Sequence, residues 1–175
     1  MTTEPQPDID RITRVRVATV LHVLDVPIVF GTWIMRHREF ALVRVDAESG
    51  LSGFAYGLTR DGPLGALVER TIAPAYVGRE VDDPEGSFHA ALWQNNAVHA
   101  AGLGMRALSI VDIAAWDLAA KAAGQDIATY LGGERRRMPV TGIVGSPPSI
   151  SPQATVARGY AIVRHGGGVL RDAAT

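Results

Sequence analysis

One run of residues limits the possible folds more than any other. From about 105 to 123 the chain reads as a long helix whose apolar set, Leu108, Val111, Ala115, Leu118, Ala119 and Ala122, is widened by Ile110, Ile113, Ala114 and Trp116 to most of the circumference. Such a helix is stable in water only if other elements cover it on more than one side. The rest of the chain must therefore supply a sheet, more helices, or both. Asp112 and Asp117 interrupt the apolar surface and read as groups left for water, a cap or a charge pair. Lys121 falls near the C-terminus, where the helix dipole favours a cation, and Gly124 can follow as the C′ residue.

What precedes this helix supplies the cover. Residues 12–24 read as a strand, with Val15, Val17, Thr19 and Leu21 on one face and Arg14, Arg16, Ala18, Val20 and His22 on the other. Pro27 is expected to end it. Residues 26–38 read as an irregular apolar-aromatic loop carrying Phe30, Trp33, Ile34 and Met35, closed by Arg36, His37 and Arg38. A loop of this kind either packs on its own domain or covers something else. Residues 39–46 and 51–57 form a hairpin, with Gly50 able to supply the positive φ of the turn. A helix follows from Pro63, burying Leu64, Leu67, Val68 and Ile72 until Pro74 breaks or ends it. Another runs from Pro84 through Phe88, Leu92 and Trp93 towards His99, where Gly102 and Gly104 interrupt. A short helical turn at 126–131 ends at Gly132 and Gly133. The fold class is α+β: a three-stranded antiparallel meander followed by a helical bundle.

The character changes at Met138. Residues 139–144 and 160–163 read as short strands, with a Pro/Ser linker at 146–152 and one or two helical turns at 153–158 between them. Strand, helix, strand is how a β/α structure opens. A complete eight-fold barrel needs roughly 250 residues, against 175 here. The expected organisation is a disordered lead-in at 1–11, an α+β domain at 12–137, and the first strands of an incomplete TIM barrel at 138–175.

Composition excludes several functions. Apolar residues make up 47 %, enough for a packed core. Lys plus Arg number 17 and Asp plus Glu 18, a net charge of -1, without the basic excess that nucleic-acid binding requires. The local cluster Arg135, Arg136 and Arg137 reads as a solvated turn or as an anion site. There is no cysteine, so disulfides and thiolate chemistry are absent. The N-terminus lacks the pattern of a secretory signal, and no apolar stretch reaches the roughly 20 residues of a membrane span. A soluble cytoplasmic protein is the expectation.

The run SIVDIAAWDLAAK at 109–121, with Leu131-Gly132-Gly133, the hairpin at 40–57, the segment 74–78 and Asp83-Pro84, resembles the capping domain of the mandelate racemase/muconate lactonizing branch of the enolase superfamily. The resemblance covers about 12–144. Its wording at 113–117 is closer to the racemase and sugar-acid dehydratase groups than to enolase proper. The resemblance implies enzymes that abstract the proton next to a carboxylate, with a divalent metal, usually magnesium, stabilising the enediolate. It implies acidic metal ligands and a Lys base at the ends of barrel strands, and two capping loops that close over the barrel mouth. Carried onto this chain, the first loop is 26–38 and the second lies near 56–61. Trp33, Met35 and Tyr56 are then the candidates for substrate contact, with self-packing as the other reading. The family often has an acidic residue where this chain has Ala55 and Tyr56.

The tail departs further. Tyr160 to Gly168 stands where the second barrel strand and its Lys-x-Lys pair are implied, and offers Arg164, His165 and Gly166 instead. The only Lys in the chain is Lys121. Arg holds its proton and cannot replace a basic Lys; His165 can act as a base but has no evident orienting partner. The expectation is therefore a fragment of a magnesium-dependent racemase or sugar-acid dehydratase-like enzyme, inactive in isolation, with no catalytic residue, metal ligand or cofactor of its own; Mg2+ is expected for a full-length relative. A non-catalytic binding or oligomerisation module is the alternative, its partner a second copy or a complementing barrel polypeptide. A small enzyme using Arg135 to Arg137, His165 and the Gly166–Gly168 turn as an anion site is a third reading, weakened because a phosphate-binding loop needs a following Lys and Ser/Thr.

Overall fold

The computed structural model describes residues 9–30, 32–138, 141–144, 162–165 and 168–171. The chain divides into two compact units, Met1–Val23 with His37–Glu134, and Leu24–Arg36 with Arg135–Thr175.

In the first unit, β1 (Ile12–Phe30), β2 (Trp33–Ala47) and β3 (Ser52–Leu58) form an antiparallel sheet in that order, the outer ends of β1 and β2 extending into the second unit. The hairpin turn carries Gly50 at φ 84°, as its sequence requires. Over 41–45 β2 alternates: Ala41, Val43 and Val45 are buried, while Leu42 and Arg44 are exposed. β1 keeps this pattern only at its start. Val15 is buried, but Thr19 and Leu21, expected on the same covered face, are exposed.

Two prolines behave differently from expectation. The segment 26–38 is not an irregular loop: β1 runs through Pro27 to Phe30, and β2 begins at Trp33. β1 is an edge strand, where a residue without an N–H removes no ladder hydrogen bond if its nitrogen faces outward. Pro74 does not end its helix either. Helix α1 (Leu64–Leu67) passes into a π-helical turn, Val68–Ile72, and on into α2 (Ala73–Tyr76). The wider turn falls just where the Pro74 ring would crowd the carbonyl four residues back.

Helix α3 (Pro84–Gln94) starts at Asp83, whose carboxylate accepts the Gly86 N–H at 2.8 Å. After Asn95 comes the single turn α4 (Asn96–His99), then α5 (Gly102–Ala122). Gly104 lies inside α5 rather than before it, and a Cβ there would sit 1.8 Å from the Val98 carbonyl oxygen, so the close approach of the preceding turn requires glycine. Helix α6 (Ile127–Tyr130) closes the unit, its first amides held by Asp126.

The core forms where β3 lies on α5. On the strand's inner face the sequence places Gly53, Ala55 and Gly57 at period two. A Cβ on Gly53 would stand 2.0 Å from the Ala114 carbonyl oxygen and 2.8 Å from the Leu118 Cβ. A Cβ on Gly57 would stand 2.8 Å from Ile110 Cδ1. Strand and helix backbones therefore approach as closely as atoms allow. Around this contact Val43, Val45, Leu64, Val68, Ile72, Tyr76, Leu108, Val111 and Leu118 complete the buried cluster.

Polar groups fasten the same contact. Asp117 accepts the Phe54 N–H at 2.8 Å, and Lys121 donates to the Ser52 carbonyl at 3.1 Å while pairing with Asp117. β3 is the other sheet edge, so these helix side chains satisfy backbone groups that have no neighbouring strand. On the outer face, Asp46 gathers Arg16, Arg44 and Ser52 from all three strands. Burial alone would raise its carboxyl, but the donors from Ser52, Arg44 and Arg16 outweigh that and hold it below the usual range.

In the second unit, β4 (Thr141–Val144) pairs parallel with β5 (Ile162–His165), which pairs antiparallel with β6 (Gly168–Arg171). The first two strands match the expected strand–connection–strand order. β6 falls in what reads from sequence as a weak tail. The helix expected at 153–158 lies outside the described residues.

Asp112 carries the opposite electrostatics to Asp46. Its Oδ1 is buried without a hydrogen-bond partner. Burial pushes its carboxyl from the ordinary 3.8 up to about 6, although the Trp116 side chain, as a donor, pulls the other way. Tyr76, fully buried with its hydroxyl also unpartnered, is raised by burial and then by the nearby Asp112 charge.

Two outcomes are expected. Gly53→Ala should cost about 3 kcal/mol in urea unfolding, the upper range for overpacking, whereas Gly50→Ala, with open space but a left-handed φ, should cost only about 1 kcal/mol. Asp112 in the unfolded chain ionises near 3.8 while the folded chain holds its proton to about 6, so stability falls as pH rises through that window and stays reduced above it. Asp112→Asn should raise the melting temperature at neutral pH and flatten the pH dependence across the same window.

Candidate functional site

The expected substrate-facing residues divide between the two units. Tyr56 belongs to the first. It stands on the outer face of β3, 71 % exposed, opposite Leu42 in the ladder. Its ring meets that of Phe40 edge-on, with centroids 6.2 Å apart. One edge of the ring is thus in contact, and most of its surface is left to solvent. Met35, half-buried, belongs to the second unit, as does Trp33, the first residue of β2. The Trp33 side chain lies outside the described part.

Beyond Tyr56, the segment 59–62 is held in a defined shape. Thr59 is fully buried; its hydroxyl donates to Glu39 Oε1 at 2.6 Å and accepts the Asp61 N–H at 3.2 Å. Arg60 and Asp61 both adopt left-handed backbone, at φ 56° and 58°. Two consecutive non-glycine residues in this region store strain, which persists only where surrounding structure imposes it and which concentrates at functional loops. His37 Nε2, on β2, lies 3.5 Å from Asp61 Oδ1. The family resemblance implies a loop near 56–61; residues 56–58 lie in β3, and nothing in residue type announces the strain at Arg60 and Asp61 beyond it.

A second feature is an apolar groove of about 370 Å³, lined by Phe54, Ile113, Trp116, Asp117, Ile127 and Leu131. Phe54, Ile113 and Leu131 are each more than half exposed. The Phe54 ring has the Lys121 ammonium 5.0 Å and the Arg44 guanidinium 5.5 Å from its centroid. These distances suit cation–π attraction. Periodicity from the sequence required cover on more than one side of this helix, and here part of that surface remains open.

Among the described residues no group of three or more His, Asp or Glu side chains is placed to hold a metal ion. Asp46 is occupied by two arginines and Asp117 by Lys121 and a backbone amide. Asp112 stands apart from both. Magnesium needs several oxygen ligands in near-octahedral order, and the described carboxylates do not offer them. Arg135, Arg136 and Arg137 are exposed in irregular chain. His165 lies in β5, and Gly166 and Gly167 lie outside the described residues.

The model of the "Mandelate racemase / muconate lactonizing enzyme, N-terminal domain" matches residues 12–132. The chain is 30 % identical over 141 residues to muconate cycloisomerase 1 of Rhodococcus opacus, covering 73 % of this chain and 36 % of that protein. It is 30 % identical over 110 residues to a D-galactonate dehydratase family member of Chromohalobacter salexigens, covering 59 % and 26 %. The crystal structure of L-talarate dehydratase from Polaromonas sp. JS666, complexed with Mg and L-glucarate, superposes with a TM-score of 0.69 at 25 % identity, over 84 % of this chain and 42 % of that one. The chain thus spans about a quarter to a third of the length of these two curated relatives. The sheet, the helical bundle and the α5 motif all fall within the matched residues. The chain belongs to the mandelate racemase/muconate lactonizing enzyme family and carries its N-terminal domain.

Proposed function

We propose that this chain is the substrate-covering part of a magnesium-dependent enzyme that abstracts the proton next to a carboxylate, with hydroxy acids of the sugar-acid class as substrates. The observation that carries the reading is the family match across the whole α+β unit, joined to an ordered, strained segment at 59–62 beside an exposed Tyr56. Trp33, Met35 and Tyr56 are assigned to substrate contact, and the base and the metal ligands to a barrel that these residues close. The relatives include dehydratases, one of them crystallised with Mg and L-glucarate, which supports both the cation and the substrate class.

On this reading the base and the cation site are supplied by the barrel and not by the α+β unit. Solvent-deuterium exchange at the α-carbon of aldonic and aldaric acids, with magnesium present, should not rise above buffer; robust exchange by the purified chain overturns the assignment. In the chain joined to a complete barrel, Tyr56→Ala should raise KM about tenfold, equivalent to about 1.4 kcal/mol of contact, with kcat little changed.

A second reading is favoured by the open groove at Phe54, Ile113, Ile127 and Leu131: a binding or assembly module, its partner a second copy or a separate barrel polypeptide. An apolar surface of this kind marks interaction sites. Light scattering that shows a monomer at all concentrations, unaltered by an added barrel polypeptide, would remove it.

A further inference from the structure

Past Leu58, the end of β3, pairing with β2 continues for one more step: the Thr59 N–H donates to the Glu39 carbonyl at 3.0 Å. The chain then turns away through Arg60 and Asp61, both at left-handed φ. That backbone is costly for a residue with a Cβ and persists only where neighbours impose it. The far end is fixed by packing and by one backbone bond. A Cβ on Gly62 would stand 2.9 Å from Leu103 Cδ2, and the Gly62 N–H donates to the Thr59 carbonyl at 3.1 Å. Between these ends, the Asp61 N–H donates to the buried Thr59 hydroxyl oxygen at 3.2 Å.

A hydroxyl has one hydrogen and two lone pairs. The Thr59 hydrogen goes to Glu39 Oε1 at 2.6 Å, the length of a hydrogen bond to an ionised carboxylate. The other acceptor in reach, the Glu39 carbonyl, is 3.3 Å away and already receives the Thr59 N–H. With its hydrogen drawn to the carboxylate, the hydroxyl keeps a lone pair for the Asp61 N–H. Among the described residues no Lys, Arg or His pairs with Glu39, so no cation competes with Thr59 for this carboxylate.

We propose that Glu39 and Thr59 are positioning residues: the carboxylate aims the hydroxyl, the hydroxyl holds the Asp61 amide, and segment 59–62 thereby has its left-handed shape before any substrate arrives. The conformational cost of shaping this part of the cover is met on folding rather than on binding, which is what preorganisation means. Phe40, the next residue of β2, meets the Tyr56 ring on the other face of the sheet. Two adjacent residues of one strand thus serve the two parts of this surface. That the segment covers substrate rests on the function proposed above; that the pair shapes it does not.

The test is backbone NMR on the whole chain. Amide-hydrogen exchange is read at Asp61, with Val43 and Val45 as references for global opening. The one-bond Cα–Hα coupling, which separates positive from negative φ, is read at Arg60 and Asp61. Thr59→Val keeps the side-chain shape and removes the hydroxyl. It should speed Asp61 exchange about tenfold, the equivalent of one net hydrogen bond, leave Val43 and Val45 protected, and move both couplings towards negative φ. Thr59→Ser should retain the protection, and so should Glu39→Gln, whose amide oxygen still accepts. Glu39→Met should speed exchange, and that effect should vanish in the Thr59→Val background. Unchanged Asp61 exchange in Thr59→Val, an equal rise at Val43 and Val45, or a Glu39→Met effect that persists in full beside Thr59→Val would each overturn the proposal. Should Thr59→Val fail to fold, the contrast between Glu39→Met and Glu39→Gln decides it: equal exchange in the two ends it. In the chain joined to a complete barrel, Thr59→Val should raise KM for a sugar acid with kcat little changed. Faster Asp61 exchange with an unmoved KM would remove the substrate-covering role and leave the positioning pair standing.

Discussion

The close approach of β3 to α5 is the contact on which the other packing depends. Gly53 sits against the Ala114 carbonyl, and no side chain fits between. This lets the sheet cover one side of a helix that is apolar on nearly all sides. The π-containing helix and α3 can then cover others, since Leu64, Val68, Ile72 and Ala91 reach the same cluster. A larger residue at Gly53 would push the helix outward and open voids among residues that are otherwise fully buried.

Polar chemistry then fixes where the two elements meet. A hydrophobic contact has no direction, and a strand could slide along a helix by a residue at little cost. Asp117 and Lys121 remove that freedom, because one accepts from the Phe54 amide and the other donates to the Ser52 carbonyl. They also close the free edge of the sheet. The residues that most strongly resemble a known family motif are thus, in this fold, fasteners of strand to helix. With β3 fixed, Tyr56 is fixed on the opposite face, and the strained segment 59–62 follows directly. The exposed face that carries Tyr56 and the core are the two sides of one strand.

Much of this was legible in the residues themselves. The apolar circumference of α5, the hairpin glycine and the helix start at Pro84 each follow from local periodicity or local stereochemistry. Pro27 and Pro74 were not legible in the same way. A proline ends a strand or helix only if its missing N–H was needed and its ring has no room, and both conditions depend on neighbours. Pro27 is in an edge strand and Pro74 follows a widened turn, so neither condition held. Asp117 could be recognised as a pairing residue, but its partner Phe54 is distant in sequence. The burial of His99 between the Ala91 carbonyl and the Thr71 hydroxyl gave no signal at all, since one histidine looks like any other until its neighbours are placed.

The sequence by itself determined the class of fold, most of the elements and the family, because these depend on patterns carried within single segments: periods of two and of 3.6, capping residues, and one long motif. It also determined that the lone Lys121 lies in a capping helix. Tertiary structure alone decided which carboxylates are free and which are engaged, the exposure of Tyr56, the strain at Arg60 and Asp61, and the burial that separates Asp112 from Asp46. Burial, backbone strain and hydrogen-bond partnership are properties of residues brought together from distant positions, and no local pattern encodes them.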